Sequence, residues 1–70
     1  MMNREQALNF ASVSADGVID QKAEYEDSFL SHYINLIDTL NEHRASQYID
    51  EARQVYVKRY LELLKNNLQS

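Results

Sequence analysis

A chain of 70 residues with one glycine and no proline has almost nowhere to turn. Sheet proteins need turn residues every few positions, and this chain lacks them. What it has instead is Leu, Glu, Gln, Ala, Lys and Arg, side chains that lose little freedom on entering a helix. The fold class expected is all-α.

Gly17 is the one clear breaker. It predicts a corner between a short first helix, over about residues 3–11 with Leu8 and Phe10 facing inward, and a second helix over about 20–43. Asp20 is the N-cap candidate for that second helix, because its carboxylate can accept from the orphan amides of the first turn. Glu24, Glu26 and Asp27 then sit near the positive end of the helix dipole. At about 100° per residue, Tyr25, Phe29, Leu30, Tyr33, Ile34, Leu36, Ile37 and Leu40 fall on one half of the cylinder. Within them Phe29, Tyr33, Leu36 and Leu40 step by four, three and four, the spacing of a packed stripe.

Apolar periodicity lapses over residues 41–47. His43 and Arg44 suit the carbonyl end of the second helix and Ser46 can cap a new one, so a turn is expected there. The third helix, about 46–67, carries one stripe of Ile49, Ala52, Tyr56, Tyr60 and Leu63. A second stripe holds Val57, Leu61, Leu64 and Leu68, with Tyr48 and Val55 on the far flank. Together these cover roughly two-thirds of the circumference, where a helix packed on one neighbour needs about a third. The architecture expected is a short helix followed by a long antiparallel helical hairpin, completing a four-helix-type bundle by dimerisation in one domain over 1–70.

Size pushes the same way. A domain of this length builds a thin core and usually needs a staple, and with no cysteine neither disulfides nor thiolate metal sites are available. The composition, 44% hydrophobic and 26% charged, has enough apolar surface to offset ordering. No apolar run approaches the ~20 residues of a membrane span. The opening Met-Met-Asn-Arg-Glu-Gln is too polar for a secretory leader, and a cytoplasmic location is expected.

Charge is unevenly spread. Residues 1–42 carry Arg4 and Lys22 against eight carboxylates, a net of −6, while residues 43–70 carry a net of +2. No lysine or arginine occurs between Ala23 and Glu42. Either the acidic second helix and the basic third are complementary neighbours, or the acidic face, with Glu24, Asp27, Asp38 and Glu42, is presented to a basic partner. Arg53 lies inside the apolar arc of the third helix. It can snorkel, stack on Tyr56 or Tyr60, or pair with a carboxylate within the chain or across an interface.

Several chemistries are set aside. Residues 12–23 can be laid over a calcium loop, with Ser14, Asp16, Gly17 and Asp20 in suitable places. Ser12 stands where the first aspartate belongs, however, and Ala23 where a bidentate glutamate belongs, so an ordinary corner is the reading kept. His32 and His43 are eleven residues apart, roughly 16 Å along a helix, and cannot share a metal. No phosphate-cradling glycine loop or nucleophile–base set is present, so neither enzyme activity nor a cofactor is expected. Direct nucleic-acid binding is disfavoured too, because Glu51 and Glu62 interrupt the Arg44, Lys58 and Lys65 strip and the chain has a pI near 4.9.

The function expected is a small non-enzymatic protein-binding accessory or regulatory module, acting as a homodimer or as a partner-bound hairpin. Its apolar contact residues would be Tyr48, Arg53, Tyr56, Val57, Tyr60, Leu61, Leu64 and Leu68. The alternative is an acidic inhibitor seated in the basic nucleic-acid site of another protein.

Overall fold

The computed structural model describes the backbone of residues 1–20 and 25–69, and side chains over 1–18 and 28–66. Among these the chain is all-helical: α1 Arg4–Asp20, α2 Tyr25–Glu42, a single 3₁₀ turn Ser46–Tyr48, and α3 Ile49–Gln69.

The first helix differs most from expectation. It does not stop at residue 11 but runs on through Gly17, which is helical and has no positive φ. Residues 12–20 of the expected corner and calcium-like loop are therefore helical, with Asp20 the last residue of α1, and residues 21–23 of that loop lie outside the described residues. The physical reason is packing. Ala7, Ala11, Ser14, Ala15 and Val18 recur at helical spacing and are all buried, which lets α1 approach α3 closely along its length. Leu8 and Phe10 are half-buried against the margin of that core, not at its centre. Gly17 serves the same approach on the α2 side. A Cβ there would lie 3.1 Å from His32 Nε2, close enough that the ring would have to give by a few tenths of an ångström.

Local chemistry fixes the helix ends. Asn3 Oδ1 accepts from the Gln6 amide at 2.8 Å while Gln6 Oε1 accepts from the Asn3 amide at 3.0 Å, a reciprocal capping box at the start of α1. At the end of α2 the Ala45 amide donates to Leu40 O at 2.7 Å and the Arg44 amide to Asn41 O at 3.2 Å. Those are the two bonds of a Schellman motif, and Arg44 takes the left-handed position at φ 56°. The accompanying apolar contact is present, since Leu40 and Ala45 both belong to the buried core. The Met2 amide donates to His43 O at 3.0 Å, pinning the chain start against the end of α2.

These contacts set direction. Met2 beside His43 makes α1 and α2 antiparallel, and Arg4 beside Glu51 with Asp16 beside Arg59 makes α1 and α3 parallel. α2 and α3 run antiparallel. Their backbones stand farther apart than α1 stands from either, and large rings fill the gap. Phe29 lies 5.1 Å from Tyr56 and 4.7 Å from Tyr60, centroid to centroid, and Tyr33 meets Tyr56 edge-on at 5.9 Å. The fully buried Tyr56 donates its phenol proton to Phe29 O at 2.6 Å. The core is thus alanine-lined on the α1 side and aromatic between α2 and α3.

Candidate functional site

Two angular facts create the open surface. On α2, Leu30 and Ile34 lie roughly 100° and 140° round from the Phe29, Leu36, Leu40 line, on the Tyr33 side. On α3, Val57 and Leu61 lie roughly 100–140° round from Tyr56, on the side away from α1. A two-faced pair of helices can bury only what its third helix covers, and α1 occupies the other side. Leu30, Ile34 and Leu61 are accordingly 57%, 60% and 56% exposed, with Val57 at 36%.

An open groove of about 770 Å³ runs along α3 beside Tyr33 of α2, with Val57 and Leu61 in its wall and Arg53, Lys58 and Lys65 as its cations; Leu30 and Ile34 stand outside its lining. Arg53 is tied to Asp50 at 3.0 Å, one helical turn back. The neighbouring Tyr33 phenol, and then Asp50, favour its charged form and raise its pKa. Glu62 also borders the groove but leans to Arg59 at 3.7 Å. The rim is therefore positive around an apolar floor. A smaller apolar patch, formed by Met1, Phe10 and Val13 beside His43, lies apart from it at the start of α1.

The expected contact residues do not all reach this surface. Val57 and Leu61 are on it, Leu64 is half-buried, and Arg53 stands at the edge. Tyr56 is a correction: it is enclosed by its own chain, because its ring fills the wide α2–α3 gap and its hydroxyl finds an acceptor there. Tyr60 is half-buried against Phe29, and Tyr48 is half-buried against the core on the opposite flank of α3. Leu68 has its side chain outside the described residues, as has Asp27, and Glu24 lies outside them altogether. The half-cylinder reading of α2 turns Leu30 and Ile34 inward, whereas both are exposed. The signal that could have found them is their angular distance from the centre of the stripe.

Charge is also distributed otherwise than as two self-neutralising neighbours. The ion pairs among the described residues join α1 to α3, Arg4–Glu51 at 2.6 Å and Asp16–Arg59 at 3.0 Å, or lie within α3. The hydrogen bond from Arg4 holds the Glu51 carboxyl below its usual range. Asp38 and Glu42 are exposed and take part in no ion pair among the described residues.

His32 is held by its Nδ1–H donating to Ser28 O at 2.8 Å, with the ring edge against Gly17. His43 is exposed at the far end of α2. Among the described residues no three His, Asp or Glu side chains converge as a metal site would require, and no helix is long and apolar enough to cross a membrane. Among the described residues the chain forms a three-helix bundle with an uncovered, cation-rimmed apolar face. Comparison with protein-family models, curated proteins and solved structures finds no match.

Proposed function

We propose that this chain is a small non-enzymatic protein-binding module, whose working surface is the apolar groove between α2 and α3. The observation that carries the reading is the exposure of Leu30, Ile34, Val57 and Leu61 on adjoining flanks of two helices. Single exposed leucines need no explanation, whereas clustered ones flanked by charge mark association surfaces. Amphipathic helices dock in such grooves through residues spaced by three and four.

A photoreactive amino acid at Leu61 should crosslink a protein in the native host, whether another chain or a further copy. The same group at exposed Glu5, on the opposite side of the bundle, should crosslink none. Equal yields at both positions, or none at Leu61, would dispose of the reading.

A second reading rests on Asp38 and Glu42. Both are exposed and stand outside the ion pairs of the described residues, as an acidic inhibitor of a basic nucleic-acid site requires. It is the weaker of the two, because it leaves the apolar face with no cover.

A further inference from the structure

We infer that the groove is filled by a second copy of this chain, with α2 of each copy lying antiparallel on α3 of the other. The two copies would be related by a two-fold axis parallel to the helices. This rests on the protein-binding reading above and names its occupant.

The groove asks for a helix that is apolar on one flank and acidic beside it, because Arg53, Lys58 and Lys65 stand round Val57 and Leu61. The chain's own α2 has those properties. It presents Leu30 and Ile34 more than half exposed, and from Ala23 to Glu42 it contains acids but no lysine or arginine. Among the described residues no ion pair joins α2 to α3 within one copy.

Two two-fold arrangements can lay this face on itself. An axis across the helices sets α2 on α2 and α3 on α3, which places acids against acids and the lysine rim against itself. An axis along the helices sets α2, which has no lysine or arginine from Ala23 to Glu42, against the Arg53, Lys58 and Lys65 rim, so it keeps the two rims apart and charge favours it. This second axis also leaves every residue at its own height, and the heights match. Phe29 stands level with Tyr56 and Tyr60, so Leu30 of one copy comes level with Val57 of the other. Side chains lean toward the N-terminus of their helix. In antiparallel helices that tilts Leu30 and the opposing Leu61 toward one another. Ile34 falls one turn away, over Val57. Each copy then gives two leucines, an isoleucine and a valine to one closed core, and every helix of the inner layer has antiparallel neighbours.

The test is complementation by the full chain in analytical ultracentrifugation and native mass spectrometry. The wild type should sediment near twice 8.2 kDa at 100 μM. Leu30→Lys alone and Leu61→Glu alone should each weaken self-association at least tenfold, with helical circular dichroism unchanged because both positions are solvent-facing in the monomer. Mixed together, the two variants should form a heterodimer at least tenfold tighter than either homodimer. One of its two contacts is then wild-type, and the other sets the introduced lysine against the introduced glutamate. If α2 instead lay on α2, the new charges would meet leucines and mixing would rescue nothing, which overturns the proposal. Single variants that associate like the wild type overturn it as well. A wild type that stays at 8.2 kDa while Leu61 still crosslinks a different protein removes the second copy as occupant and leaves the protein-binding reading standing.

Discussion

Tyr56 shows how one residue can look like an interface and serve as a core. Its ring touches Phe29 and Tyr33, its surface is wholly enclosed, and its hydroxyl donates to Phe29 O. Burial, followed by the proximity of Tyr60, pushes its phenol up to about 12. An unfolded tyrosine ionises near 10, so above that pH the unfolded chain loses a proton that the folded chain keeps. The stabilisation is therefore complete below pH 10 and drains away as pH rises toward 12. Tyr56→Phe should cost about 1 kcal/mol at pH 7, for the lost hydrogen bond. It should then unfold with a shallower pH dependence than the wild type between pH 10 and 12. Urea melts at pH 7, 10 and 11.5 check both halves, and parallel slopes for the two proteins would contradict the assignment.

At the scale of elements, α2 is the most legible in the sequence and α1 the least. Phe29, Tyr33, Leu36 and Leu40 are large enough for their spacing to be read directly, and Leu36 and Leu40 are fully buried. The α1 stripe is alanine and serine apart from Val18, and those small residues weigh little in a hydrophobic pattern although they allow the closest helix approach. Gly17 compounds the misreading, because a glycine chosen for contact with His32 has the same letter as one chosen for a turn. The Asn3–Gln6 capping box fixes the start of α1, but it says nothing of where the helix ends. Of the open face, Val57 and Leu61 are legible from the excess apolar arc of α3. Leu30 and Ile34 are legible only through their angular distance from the Phe29, Leu36, Leu40 line, because the width of an apolar half-cylinder by itself does not reveal which edge a neighbour leaves bare. The end of α2 is open to a direct test. Arg44 holds a left-handed backbone that costs an L side chain roughly 1 kcal/mol and costs glycine little. Arg44→Gly should raise stability by about 0.5–1 kcal/mol in urea melts, because the Schellman bonds stay in place. A loss of stability would mean that the Arg44 side chain contributes more than its backbone costs.

Taken whole, the molecule measures 38 × 19 × 15 Å, and its fully buried large side chains among the described residues number four: Tyr56, Leu36, Leu40 and Val18. Alanine supplies the remaining buried apolar positions, so each brings little area out of water. A bundle built this way gains its close helix contacts at the expense of hydrophobic mass, and in a small domain that leaves stability thin. Covering Leu30, Ile34, Val57 and Leu61 would supply the missing mass from outside the chain. Association and stability are then one quantity, linked by mass action. If the second copy is the cover, raising the free concentration to about 100 times the dissociation constant adds about 2.7 kcal/mol. For a domain of this size that moves the melting temperature by about 10 °C or more. Replacing Leu30, Ile34, Val57 and Leu61 with Gln, Gln, Thr and Gln should leave the melting temperature at 1 μM close to that of the wild type. It should also abolish the rise that dimerisation would give the wild type between 1 and 200 μM. A variant that is already much less stable at 1 μM would show that these side chains hold the single chain together. Its open face would then be a margin of the core and not a surface awaiting a neighbour.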